Sequence, residues 1–258
     1  MIAYLIFLAA PVLLLGLGSF GESWSNTLLP SGFTTRWFVE VAGDPSFHRA
    51  FATSLKIVAT TCVLNILIGL PLAYAIQAGA RGGLRIAARL VTFLPVTVPE
   101  LVLAFGFILV FSSDALPWLG SFWLLAAAHL ILTLPYTVTA LIADMDQLGL
   151  DNYEHAAATL GASFVARFRD ITLPLLGTSL LSSTLTVAAL SIGEFQLSNL
   201  VSGFLSRTYP VVLLQAFYGA TGFACAATVV LLTLAIIASL ASSLTAQFAG
   251  VNKGKAVA

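Results

Sequence analysis

The stretch FATSLKIVATTCVLNILIGLPLAYAI, residues 51–76, carries Lys56 near its mouth as its only formal charge. About 20 apolar residues suffice for an α-helix to cross the roughly 30 Å hydrocarbon core of a bilayer, so this run reads as a membrane span. Further runs of the same kind lie on both sides of it, at residues 1–20, 90–112, 122–143, 173–195 and 222–248. The whole chain is 59% hydrophobic and 9% charged, with a mean hydropathy of +1.00, far from the range of a water-soluble domain. Six crossings and their loops use up the 258 residues. The expected fold is therefore all-α: one polytopic domain over residues 1–258 with about six transmembrane helices.

The first run lacks the basic start of a secretory signal and is long enough to span. Residues 21–49, rich in Gly, Ser, Thr and Pro, read as a loop. Residues 196–221 are broken by Arg207 and Pro210, so a short interfacial helix over 211–217 is expected there, not a seventh crossing. Pro71, Pro95, Pro99 and Pro135 fall inside or at the ends of spans, where neighbouring helices can satisfy the backbone groups that proline frees. Lysine and arginine set the orientation. Arg81, Arg85, Arg89, Arg167, Arg169, Lys253 and Lys255 fall on one side, against Arg36, Arg49 and Arg207 on the other. The first side is then cytoplasmic, and both termini point inward. A formal net charge of zero, with no basic stretch interleaved with aromatics, argues against nucleic acid as a partner. Cys62 and Cys225 lie in apolar runs without metal-ligand spacing and read as small core residues.

Between the fourth and fifth spans, a cytoplasmic loop of about residues 144–172 includes most of EHAAATLGASFVARFRDITLPLL, residues 154–176. Tyr153, Ala156, Ala157 and Leu160 recur at helical spacing, Gly161 interrupts them, and Phe164, Phe168 and Ile171 resume the stripe. The pattern predicts two short helices joined at Gly161 in the left-handed conformation, with Ser163 capping the second and Pro174 marking re-entry into the bilayer. Small residues on one side of such an elbow let a partner surface approach closely.

These residues resemble the EAA loop of permease subunits from binding-protein-dependent ATP-binding-cassette importers, whose pattern is E-A-A, a glycine, nine residues, then I-x-L-P. Ala156, Ala157, Gly161, Ile171, Leu173 and Pro174 match it in type and spacing. His155 stands where the family commonly has glutamate, with Glu154 one place earlier. The resemblance implies the type I importer permease fold in a bacterial cytoplasmic (inner) membrane. It also implies an ATPase-coupling role for Glu154, His155, Ala156, Ala157, Gly161, Ile171, Leu173 and Pro174. The implied partners are a cytoplasmic ATPase dimer, a second permease subunit that is a different chain and not a copy, and a periplasmic or lipid-anchored solute-binding protein. No G-x-x-x-x-G-K-[ST] phosphate loop occurs, so ATP and Mg belong to the partner and this chain binds no cofactor and is no enzyme.

Two carboxylates sit in apolar surroundings, Glu100 in LPVTVPELVLAFG and Glu194 in LSIGEFQLSNL. A charge within the membrane costs roughly 2.5–3.5 kcal/mol on the insertion scale, which makes each a candidate for the substrate path. The competing reading leaves both hydrated near the outer interface. His129 and Gln196 are weaker path candidates, as is Asn65, and a lone histidine in a span more often makes a helix–helix hydrogen bond. The P-x-x-x-P-E and S-x-G-E-F runs also resemble the branch of these permeases that serves polyamines, aminoethylphosphonate and iron(III). Carboxylates without paired cations suit a small amine-containing solute. The alternative is an ion-gradient-driven secondary transporter using Glu100 and Glu194, which leaves the elbow unexplained. No H-E-x-x-H or G-x-S-x-G motif supports an intramembrane enzyme, and Asp144, Asp146 and Asp151 read as a solvated acidic edge.

Overall fold

The computed structural model describes residues 2–23, 30–79, 82–233 and 236; Arg81, Lys253 and Lys255 lie outside them. The described residues form twelve helices and no strand beyond two isolated bridges. They fall into two compact units, one of Met1–His48 with Val212–Ala258 and one of Arg49–Val211.

In the first unit, α1 (Ile2–Phe20) is followed by α2 (Arg36–Gly43), so the segment expected as a loop is in part helical. Helix α3 (Pro45–Gly79) begins in this unit and continues into the second. The cause of its start is local: Asp44 accepts from the Ser46 and Phe47 amides at 2.7 and 3.2 Å, and Pro45 supplies a pre-set φ to the first turn. Phe20 stacks on Phe33 at 5.4 Å, and the Trp37 indole donates to the Gly21 carbonyl at 2.8 Å. The unit is completed by most of α11 (Tyr209–Gly219), the expected short helix, and by α12 (Thr221–Thr233).

The second unit is built on α3 and α6 (Phe122–Leu148), which at 35 and 27 residues are long and apolar enough to cross a membrane. At 1.5 Å per residue they measure roughly 50 and 40 Å, so both overshoot a bilayer core of about 30 Å and carry polar ends beyond it. Helix α6 packs against α3, α4 (Gly83–Thr97) and α9 (Gly177–Gly193). One core joins Leu70, Ala73 and Ile76 of α3 to Val138, Leu141 and Met145 of α6. Asn65 is buried and helical but sits in a π-helical turn. Its amide donates to the Thr61 carbonyl (3.0 Å) and Thr133 Oγ1 (2.8 Å), and its oxygen accepts from Thr137 at 3.1 Å. That inserted side chain explains the widened turn, and it makes Asn65 an internal brace.

Two expected crossings are bent, not straight. The run at 90–112 is α4 and α5 (Glu100–Phe111), meeting at 96°. Proline lacks an amide hydrogen and pushes its predecessor out of the helical region, and Val98 (φ −91, ψ 129) and Pro99 (φ −54, ψ 135) are both extended. The run at 173–195 contains, near its start, a 64° bend between α8 (Phe164–Leu175) and α9. Two described helices, or four crossings with each bent pair taken as one, thus suit a bilayer by length and composition; Tyr4–Phe20 and α12 are shorter apolar helices. Most of the expected sixth crossing lies outside the described residues.

Candidate functional site

The elbow forms where the local signals place it. Helix α6 ends at Gly149 (φ +62), α7 (Leu150–Thr159) follows, and Gly161 takes φ +83. The Gly161 amide donates to the Ala158 carbonyl and the Ala162 amide to that of Ala157, both at 3.0 Å, which closes the C-terminus of α7. Ser163 caps α8 by accepting from the Ala166 amide at 3.3 Å.

Which face of α7 turns inward could not be read from periodicity. Leu150 and Glu154 are buried, whereas Tyr153 and Leu160 of the predicted stripe are 55% and 89% exposed. His155, Ala156, Gly161, Leu173 and Pro174 are exposed, and Ala157 and Ile171 are half-buried. On α7 the stripe of Tyr153, Ala156 and Leu160 therefore faces away from the rest of this chain, whereas its continuation on α8, Phe168 and Ile171, packs inward. Glu154 is turned the other way: its two carboxylate oxygens accept from Tyr74 Oη and Thr172 Oγ1, each at 2.6 Å. Phe164 and Phe168 meet the Tyr74 ring edge-on at 5.8 and 5.5 Å.

The expected acidic edge is mostly paired. Asp146 accepts from Gln77 at 2.6 Å and from Arg85 and Arg89 at 3.2 Å each, Arg85 also donates to Gln77, and Asp144 accepts from Ser179. Asp151 is exposed in the first turn of α7, where a negative charge complements the helix dipole.

The four path candidates line one cavity of about 470 Å³, together with Pro95, Tyr136 and Ser191, and no lysine or arginine is among its lining residues. Each carboxylate stands at a helix break, where backbone irregularity opens room: Glu100 just past the Pro99 bend, Glu194 between α9 and α10 (Gln196–Val201). Their surroundings differ. Glu194 caps α10, accepting from the Leu197 and Ser198 amides at 2.6 and 2.9 Å and from Ser198 Oγ at 2.5 Å. Glu100 is exposed to the cavity and has no hydrogen-bond partner among the described residues. His129 is buried, with Nδ1 2.8 Å from Ser191 Oγ and Nε2 2.9 Å from Ser198 Oγ. Because Ser198 donates to Glu194, it accepts from Nε2–H, and Nδ1 then accepts from Ser191. These bonds tie His129 of α6 to α9 and α10 while its Nε2 lies 3.5 Å from Glu194, and Gln196 is exposed at the cavity wall. Ser191, Ser198, Tyr74 and Thr172 escaped the sequence reading; their only signal was a hydroxyl amid apolar neighbours.

Residues 65–248 match the family described as binding-protein-dependent transport system inner membrane component. The chain is 28% identical over 213 residues to a putative 2-aminoethylphosphonate transport system permease protein, PhnV, of Salmonella typhimurium, covering 82% of this chain and 78% of the relative. It is 27% identical to the putrescine transport system permease protein PotI of Escherichia coli (81% and 75% covered). It is also 27% identical to the sulfate transport system permease protein CysW of Synechocystis (96% and 92%). Among solved structures, a chain of a bacterial alginate transporter in complex with its alginate-bound periplasmic protein superposes with a TM-score of 0.71 at 18% identity, covering 92% of this chain and 87% of that one.

Proposed function

Because this chain belongs to the family of inner membrane components of binding-protein-dependent transport systems, and so is the non-enzymatic permease subunit of an ATP-binding-cassette importer, we propose that its carboxylate-lined cavity carries a small amine-containing solute. The ion-gradient-driven alternative gives way to that assignment. The exposed stripe of the elbow is the face that receives a cytoplasmic ATPase dimer, which holds the ATP and Mg. A second, different permease subunit completes the pathway and a periplasmic or lipid-anchored binding protein delivers the solute. Arg85, Arg89, Arg167 and Arg169 belong to the helices that meet around the C-terminal end of α6 and the elbow, which supports a cytoplasmic location for that end; we propose the same side for both termini.

The observation that carries the solute class is the charge of the cavity. Glu100 and Glu194 line it, Glu194 is committed to capping α10, and Glu100 is left to bind. At roughly 5 Å and an effective dielectric of about 20, one charge pair is worth about 3 kcal/mol, attractive for an ammonium and repulsive for an oxyanion. Of the solutes named for the three relatives, putrescine and 2-aminoethylphosphonate carry an amine and sulfate does not. Uptake into vesicles holding the assembled importer tests this. Glu100→Gln is expected to raise the half-saturating concentration of the amine about tenfold or more, while Glu194→Gln mainly lowers the yield of folded protein. Transport of sulfate in preference to either amine, or an unchanged half-saturation in Glu100→Gln, overturns the solute assignment.

A further inference from the structure

We infer that Glu154 is a positioning residue that fastens the elbow to α3 and α8, so that displacement of the elbow is carried to the helices around the cavity. The inference rests on the reading of the elbow as the ATPase-receiving element. A carboxylate is an expensive group to bury unless its lone pairs are filled, and Glu154 is 9% exposed. It fills them with hydroxyls from two other elements, Tyr74 on α3 and Thr172 on α8, at 2.6 Å each. From the same side, Arg167 of α8 donates to its carbonyl at 3.4 Å. Tyr74 is held in turn edge-on against the stacked pair Phe164 and Phe168. One side chain thus ties α7 by hydrogen bonds to both α3 and α8, beside the bends at Gly149 and Gly161 and the apolar contacts that Leu150 makes in the shared core. A residue that only filled space at this point could be apolar, as Leu150 is one turn earlier. A residue that touched the ATPase would have to stand on the opposite face with His155 and Leu160, which are exposed. The carboxylate is matched to its task because both donors need an acceptor and glutamine offers only one oxygen.

The test uses the complete importer and needs no knowledge of the solute. Gln196→Cys, placed in a Cys62→Ala, Cys225→Ala background, puts a thiol on the cavity wall. Its rate of modification by a small maleimide is compared between nucleotide-free and ATP–vanadate-trapped complexes, with co-purification of the ATPase measured alongside. With the elbow intact, trapping is expected to change the rate several-fold. Tyr74→Phe and Thr172→Val should each shrink that change by about threefold, Glu154→Ala should abolish it, and Glu154→Gln should recover part of it, with the ATPase bound and hydrolysing in all four. If Tyr74→Phe and Thr172→Val respond like the intact elbow while Glu154→Ala sheds the ATPase, Glu154 is a surface contact and the inference fails. The underlying docking reading fails separately, if Leu160→Glu leaves the ATPase bound with normal affinity. No response to trapping with the intact elbow overturns both the cavity as the path and this inference.

Discussion

Replacing Gly161 tests the elbow at the one position where backbone conformation alone decides the outcome. Its φ is +83, and nothing lies within 4 Å of where a Cβ would stand, so the cost of a side chain comes from the left-handed backbone and not from crowding. For an ordinary L-residue that conformation costs roughly 1–2 kcal/mol, less for asparagine, which visits it readily, and more for a β-branched side chain. Relief of the strain would break the two 3.0 Å bonds that close α7, from the Gly161 and Ala162 amides. At 1.4 kcal/mol per decade, a cost of about 2 kcal/mol lowers the population of the correctly bent elbow roughly thirtyfold relative to alternatives of equal starting energy. The series Gly161→Asn, Gly161→Ala, Gly161→Val should therefore weaken ATPase binding and uncouple hydrolysis from transport in that order, with normal insertion of the subunit. Binding is read by titrating the purified ATPase onto permease in nanodiscs. Valine indistinguishable from glycine, or asparagine as damaging as valine, would show that the left-handed conformation is not what matters.

Other perturbations separate brace from path and surface from core. His129→Ala removes a buried ring with hydrogen bonds to Ser191 and Ser198, and should destabilise the subunit by about 2–4 kcal/mol, seen as a fall of several degrees in melting temperature. A stable variant with altered solute affinity instead would assign His129 to the path. Asp146→Asn removes two ion pairs whose side chains are 31–48% exposed, each worth no more than about 1 kcal/mol. The melting temperature should fall slightly, and its decrease with added salt, present in the parent, should flatten; an unchanged salt response contradicts the pairing.

What the sequence made legible, and what it hid, follows from the range of the interactions involved. The bend at Gly161 and the cap at Ser163 are local chemistry within a few residues, and both were readable, as was the apolar length of α3 and α6. Pro99 was visible, but whether a proline is absorbed by a helix or breaks it depends on neighbours, and here it breaks by 96°. Periodicity gave the stripe of Tyr153, Ala156 and Leu160 without saying which face meets the rest of the chain, so the inward turn of Glu154 was hidden. Asp146 is half-exposed as expected, but its pairing was hidden because its partners Arg85 and Arg89 lie 61 and 57 positions away. Glu100 and Glu194 looked alike in sequence. The capping bonds and the burial of Glu194 tell them apart.

If the outward stripe of α7 receives the ATPase, as we propose, crosslinking at that stripe will capture it. A photo-crosslinking residue at Leu160, which is 89% exposed, is compared with one at Leu109 on α5, which is 79% exposed and equally apolar. Irradiation of the assembled importer is expected to join the ATPase subunit to position 160 and not to position 109. Capture of the ATPase from position 109, or from neither, would show that the stripe of α7 is not its receiving face.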